Sequence, residues 1–250
     1  MESVPIMNEK NIRLAVCMPV YNESEGIREF VTEIATAFEG HETYFYVVDD
    51  CSSDGSNVEL NNLSHKLKIE VYRNQHNLGH GPSTLKALNM AILNDHSYII
   101  AVDGDGQFLA SEIYRLTINT IQSGSEIGLG LRIRKNEPPI RKVISFATRI
   151  LVYLKTNKMP KDANTPLRIY KQNTLSKLIK ELETTNPIPN LFLLKAIYMG
   201  NFRVWQEKVV FTPRRGISKT GTSWGKTLRI FPQKRLLLFS WNAINYWFKH

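Results

Sequence analysis

The sequence predicts an α/β protein: an open, mostly parallel sheet flanked by helices. Three observations carry that expectation. Short apolar runs alternate with amphipathic stretches through the first half, most runs stop at an acid or a proline, and none reaches bilayer-spanning length. The 250 residues, 42% hydrophobic and 22% charged, have the composition of a globular chain rather than a fibrous or disordered one. With only two cysteines, Cys17 and Cys51, a disulfide framework and a four-cysteine zinc site are both excluded. Both read as small buried thiols of a reducing compartment. The opening MESVPIMNEKNIR lacks the apolar stretch of a secretory signal, so the expectation is a cytoplasmic protein.

Taken in order, Arg13–Met18 is a first strand ended by Pro19, and Tyr44–Val48 a second stopped by Asp49 and Asp50. Ile69–Tyr72 is a weaker third, and Tyr98–Val102 a fourth that again meets aspartate. Helical patterns lie between and after them: Ser24 to Phe38, Ser56 to Leu67, Ser83 to Leu93 and Ser111 to Ile121. Glu126–Leu131 reads as a fifth strand. Beyond it come a basic amphipathic helix, Ile140–Leu154, then helices at Thr174–Leu182 and Leu191–Tyr198, and a strand at Val204–Phe211. Arg214–Trp224 is a polar, glycine-bearing loop, and the chain ends in the apolar, aromatic segment Arg235–His250. With no repeat or clear linker, one domain with C-terminal elaborations is expected.

Charge is unevenly spread. The net +9 resides entirely in residues 201–250, which hold ten basic side chains and one acid, Glu207. A local excess of this kind suits a phosphate-rich ligand or an anionic surface met by the C-terminal fifth, not a uniformly basic nucleic-acid binder.

In an open α/β sheet, ligands bind beyond the carboxyl ends of the strands, so the residues after each apolar run are the candidates. After the fourth run stands Asp103-Gly104-Asp105-Gly106-Gln107. Two carboxylates one residue apart in a glycine-rich turn can converge on Mg²⁺ or Mn²⁺, though Asp and Gly also make ordinary solvated turns. Pro19-Val20-Tyr21-Asn22-Glu23 follows the first run and Asp49 to Gly55 the second. A carboxylate there can accept from a base imide or ribose hydroxyls, and Tyr21 can pack on a ring. Ser52 or Ser53 suits a helix cap as well as a ligand contact.

Together VCMPVYNE, YVVDDCSSDGS, RNQHNLGHG and AVDGDGQ, in this order, resemble the family 2 glycosyltransferases of GT-A fold, over roughly residues 12–220. The resemblance implies residues 1–220 as the GT-A domain, with 221–250 a basic, aromatic helical extension packed on it or lying at a membrane surface. It implies a nucleotide-diphosphate-sugar donor and a divalent cation, Mg²⁺ or Mn²⁺. Pro19, Tyr21, Glu23, Val48 and Asp50 then form the nucleoside pocket. Val102, Asp103 and Gly104 neighbour the ribose and diphosphate, and Asp105, Gln107 and Asp103 form the metal site.

Family members acting on sugar hydroxyls carry late acids, one of them a general base, because an attacking hydroxyl must lose its proton. The corresponding Thr185–Ala196, TNPIPNLFLLKA, has no acid; Glu181 and Glu183 lie upstream on a presumed helix face. A phosphate acceptor is already ionised and needs cations instead. Arg132, Arg141, Lys142, Arg214, Arg215 and Lys219 supply them, and Arg214-Arg215-Gly216-Ile217-Ser218-Lys219 resembles the late signature of the dolichol- and polyprenyl-phosphate sugar transferases. That resemblance makes Asp105, Arg132 and Arg215 the residues expected to carry catalysis, with Arg214, Arg215 and Lys219 on phosphate. Two departures stand: the arginine-to-glycine spacing is one residue short, so either arginine fits, and Pro166 replaces a family glycine in DANTPLRIY. Asp162 and Arg168 therefore read equally as acceptor-site residues or a structural pair.

Leu237, Trp241, Ile244 and Phe248 recur at helical spacing beside Arg235, Tyr246, Trp247 and Lys249, which suits either a headgroup boundary or packing on the domain. The expectation is inverting, metal-dependent sugar transfer to a polyprenyl phosphate, peripheral on the cytoplasmic face of a membrane. The alternatives are transfer to a hydroxyl of a saccharide or glycolipid, and a non-catalytic basic binding protein. Clustered acids at three strand ends speak against nucleic acid.

Overall fold

The computed structural model describes residues 12–133, 139–215 and 243–249. β-branched and aromatic runs form β1 (Arg13–Val20), β2 (Glu42–Asp49), β3 (Ile69–Arg73), β4 (Tyr98–Ala101), β5 (Ile127–Ile133), β6 (Arg168–Lys171) and β7 (Val204–Val210). Between them lie α1 (Ile27–Ala37), α2 (Ser56–Leu63), α3 (His80–Ile92), α4 (Ala110–Gln122), α5 (Pro139–Thr156), α6 (Gln172–Ile179) and α7 (Pro189–Met199). The strands make one seven-stranded sheet in the order β3-β2-β1-β4-β6-β5-β7. All pairs are parallel except those of β6, which runs antiparallel between β4 and β5.

Alternation along β1 sets the two layers. Leu14, Val16, Met18 and Val20 face a core with Ile27, Phe30 and Ile34 of α1, Leu60 of α2 and Ile113 and Leu116 of α4. Ala15 and Cys17 face the other, with Leu85 and Leu88 of α3, Val152 of α5, Leu175 of α6 and Leu191 and Leu194 of α7. Cys17 is buried as expected, while Cys51 is half-buried with φ 63°.

The expected mostly parallel sheet is present. Sequence reading overlooked β6, because its four residues offer only Ile169 and Tyr170 as apolar signal inside a polar, proline-bearing stretch. α3 starts three residues before Ser83, with Pro82 in its first turn, where a missing N–H costs nothing. Arg168 is fully buried and donates from Nε to Thr165 O at 2.9 Å. It packs as a core residue, and Asp162 pairs instead with Arg132.

Among the described residues no helix is long and apolar enough to cross a membrane. Residues 243–249 are helical, and they pack on the domain through Trp247, fully buried, with its ring centroid 4.9 Å from that of Phe192. Lys155 Nζ donates to Trp247 O at 2.8 Å, whereas Phe248 is 61% exposed. Lys219, Arg235, Leu237 and Trp241 lie outside the described residues, as does the boundary expected at 220/221.

Candidate active site

The carboxyl ends of β1, β2 and β4 bring the predicted turns together. Gly104 donates to Pro19 O at 3.2 Å, and a Cβ on it would stand 2.6 Å from Val20 Cγ2. Only glycine lets the Asp103–Gly106 turn sit this close to the end of β1. Val102 continues β4 by donating to Cys17 O at 3.1 Å and is buried, as is Val48, so neither offers a side chain to a ligand.

The turn after β1 is stitched to the turn after β2. Asn22, held at φ 54°, donates from N to Ser52 Oγ at 3.0 Å and accepts from Ser53 N at 2.9 Å. Glu23 N donates to Ser56 Oγ at 2.8 Å, and Ser24 N to Asp54 Oδ2 at 2.9 Å. Ser52 thus clasps a turn, and α2 has no side-chain cap. Asp49 is fully buried, accepting from Ser52 N at 3.0 Å and pairing with Arg73 Nε at 3.4 Å.

Asp50 is also buried. Its Oδ1 accepts from Asn74 Nδ2 and Leu78 N, both at 2.8 Å, and its Oδ2 from Gly79 N at 2.9 Å. It ties down the Asn74–Gly79 loop that delivers α3. Gly79, at φ 93°, then turns the chain so that His80 Nε2 comes 3.4 Å from Asp103 Oδ1. His80 thus stands beside the candidate site, though sequence reading quoted it only inside RNQHNLGHG; with the helix expected to begin at Ser83, it read as part of the preceding loop.

Asp105 is the electrostatic centre. Burial, then the charge of Asp103, pushes its carboxyl up to about 7. Two neighbouring carboxylates disfavour each other's ionisation, and a cation between them relieves that. Gln107 N donates to Asp105 Oδ1 at 3.2 Å, while Gln107 Nε2 donates to Thr212 O at 3.0 Å, leaving Oε1 to offer. Among the described residues no three His, Cys, Asp or Glu side chains form a metal-holding group. Two carboxylates and an amide oxygen still fit Mg²⁺ or Mn²⁺, which keep waters and take substrate phosphates.

Arg214 and Arg215 arrive at this turn from β7. Arg214 Nη2 lies 2.5 Å from Glu23 Oε1, its Nε donates to Glu23 Oε2 at 2.8 Å, and Nη2 also donates to Asn22 O at 2.9 Å. Burial pushes the Glu23 carboxyl up to about 8, and Arg214 opposes the shift. Arg215 turns the other way, onto α1.

Arg132 is held apart from these residues by a bidentate pair with Asp162, Nε–Oδ2 2.7 Å and Nη2–Oδ1 2.8 Å. Its guanidinium lies 5.5 Å from the centroid of Phe211, whose ring packs on Phe108 at 5.2 Å, directly after Gln107. Beside it opens a cavity of about 350 Å³ whose lining includes Lys142, Phe146, Arg149, Lys161 and Asp162. The acid-free segment reaches the site edge: the Asn186–Pro187 backbone packs where a Cβ on Gly81, in the first turn of α3, would stand. Glu183, upstream, accepts from Tyr246 Oη at 2.8 Å.

Residues 15–170 match the sequence profile described as Glycosyl transferase family 2. A dolichol-phosphate mannosyltransferase of Pyrococcus furiosus is 28% identical over 240 residues, covering 93% of this chain. The chain spans 65% of that relative's length. The fold is shared with mannosyl-3-phosphoglycerate synthase from Rubrobacter xylanophilus (TM-score 0.67, 14% identity, 94% of this chain and 72% of that one). It is also shared with glucosyl-3-phosphoglycerate synthase from Mycobacterium tuberculosis, solved with Mn²⁺, UDP and glucosyl-3-phosphoglycerate (TM-score 0.64, 12% identity, 94% and 78%).

Proposed function

The chain belongs to glycosyl transferase family 2 and has the GT-A fold, and on that footing we propose that it moves a sugar from a nucleotide-diphosphate donor to a polyprenyl phosphate, inverting the anomeric centre. The observation that carries this reading is the basic cavity. Lys142, Arg149 and Lys161 gather around about 350 Å³ beside the Arg132–Asp162 pair, one aromatic stack from the Asp105 turn. Cations in that number suit an anionic acceptor held beside an anionic donor. The named activity of the Pyrococcus furiosus relative supports the same acceptor class.

The turns after β1 and β2 receive the nucleoside, with Tyr21 as the contacting side chain and Pro19, Glu23 and Asp50 as framework, Glu23 being held by Arg214. Asp103, Asp105 and Gln107 would hold a divalent cation, which would supply charge to neutralise the departing diphosphate. An acceptor phosphate oxygen attacks the anomeric carbon on the face opposite the leaving group. A carbon–oxygen bond forms as the bond to the diphosphate breaks, and the nucleoside diphosphate departs. No proton has to move, because the acceptor is ionised before it binds; this agrees with the acid-free Thr185–Ala196.

Val143 (62% exposed), Phe146 (57%) and Leu154 (64%) of α5 add apolar surface along the cavity's helix, where a prenyl chain or a membrane surface could lie. The test is product formation with Mn²⁺ and a panel of nucleotide sugars, comparing a short-chain prenyl phosphate with free saccharides. Transfer to saccharide in preference to prenyl phosphate defeats the proposal.

A further inference from the structure

The two arginines after β7 are adjacent in sequence, yet their surroundings differ completely. Arg215 leaves the site and lies along α1. Its Nη1 and Nη2 donate to Glu33 Oε1 at 2.9 Å and Oε2 at 2.5 Å, and Glu29 Oε2 stands 3.6 Å from Nη1. The guanidinium sits 5.4 Å from the centroid of Phe30. Its Nε donates to Gly106 O at 3.3 Å, and its backbone N to Asp105 O at 3.2 Å.

Two glycines make the channel for this side chain. A Cβ on Gly26 would stand 2.7 Å from Arg215 Cβ, and one on Gly106 would stand 2.6 Å from Arg215 Cδ. Three elements therefore converge on one arginine: the start of α1, the metal-binding turn and the exit from β7. Thr212 adds a fourth fastening, donating from N to Gln107 O at 2.8 Å. Arg214 alone is left facing the acids of the site, 2.5 Å from Glu23 and near enough to Asp105 to bear on its charge.

We propose that Glu33 is a positioning residue: by gripping Arg215 it fastens the segment after β7 across the Asp105 turn, so that Arg214, and not Arg215, is the arginine presented to the donor diphosphate. This rests on the transfer reading above and names which of the paired arginines serves it. Arg215 does its work with its guanidinium spent on α1. A bidentate carboxylate is required for that, since a planar fork matched by two oxygens fixes direction as well as distance.

The test uses the full chain with Mn²⁺, an active nucleotide sugar and a short-chain prenyl phosphate. Glu33→Gln should lower kcat by about three- to fivefold, the scale of a partly exposed bidentate pair, with a smaller change in donor KM. Glu33→Asp should recover part of the loss. Gly26→Ala, which obstructs the channel without touching any charge, should mimic Glu33→Gln. In an Arg214→Ala background the effect of Glu33→Gln should nearly vanish, because the residue acts through Arg214. The reversed pair Glu33→Arg with Arg215→Glu should regain most of the rate lost by either change alone. An undiminished Glu33→Gln effect in the Arg214→Ala background, or no regain in the reversed pair, overturns the proposal. Amide hydrogen exchange separates this from failure of the transfer reading. Glu33→Gln should speed exchange at Thr212 and Arg215 at least tenfold, whatever the substrate, and unchanged exchange there overturns the latch even in an active enzyme.

Discussion

The turns beyond β1 and β2 and the arginines beyond β7 meet near the carboxyl end of β1 but are secured by different means. On the first side, small side chains and backbone amides bond between turns that follow neighbouring parallel strands, as Asn22 does with Ser52 and Ser53. On the second, Arg214 and Arg215 are held by Glu23 and Glu33, 191 and 182 residues away in sequence. The first side is acidic and is bonded largely turn to turn; the second depends on ion pairs across the whole chain. A count of basic residues therefore overstates the positive charge free to meet a ligand, since the acids that neutralise it come from the other half.

The largest expected effect lies where the two sides meet. Asp105→Ala should lower turnover on the order of a thousandfold, several kcal/mol of lost cation-dependent stabilisation, while the melting temperature stays nearly unchanged. Near-normal turnover at saturating Mn²⁺ would dissolve the distinction between a chemical turn and a structural one. Trp247→Ala should cost about 3–5 kcal/mol of folding stability, as for a buried large aromatic, in urea unfolding. A loss under about 1 kcal/mol would show the tail to be a dispensable appendage.

Much of the first side was legible in the sequence. Acids and glycines after apolar runs mark strand ends, and Asp103 to Gln107 announce a tight turn with two carboxylates. Asp50 shows the limit of such reading: it stands directly after β2 as expected, but both its oxygens are occupied by Asn74, Leu78 and Gly79. The second side was legible as composition only. Nothing local to RRGISK distinguishes an arginine that meets Glu23 from one that meets Glu33, because side-chain direction is decided by helices packed far upstream. β6 escaped for a related reason, since four residues between two partners take their strand character from the neighbours.

Two smaller effects sharpen the comparison. Arg214→Ala should reduce catalytic efficiency about ten- to hundredfold, the worth of a charge-assisted bond at roughly 1.5–3 kcal/mol, and Arg214→Lys should restore little of it. Equal losses for both substitutions in donor binding alone, measured by calorimetry with the nucleoside diphosphate, would move Arg214 from the chemistry to simple affinity. Smallest of all, Glu183→Gln should leave turnover within about twofold, since its carboxylate accepts from Tyr246 at the tail. A fall beyond about a hundredfold is what removal of a general base produces, and would revive the hydroxyl acceptor.

The position of β6 has a consequence for how the chain is made. β4 ends at Ala101, and its partner on that side begins at Arg168, so the ribosome must add more than sixty residues before the edge of β4 can be closed. At about 5–20 residues per second, that interval lasts roughly 3–13 s. If the strands paired as they emerged, the nascent sheet β3-β2-β1-β4 would present throughout it an apolar row, Tyr98 to Ala101, with unpaired amides and carbonyls along one side. Such an edge invites pairing with a neighbouring nascent chain. β5 emerges meanwhile but pairs with β6 rather than with β4, so it gives no relief until Arg168–Lys171 threads in between them. Slow codons placed between β5 and β6 would lengthen this exposure, and a chaperone that shields strand edges would matter most during those seconds.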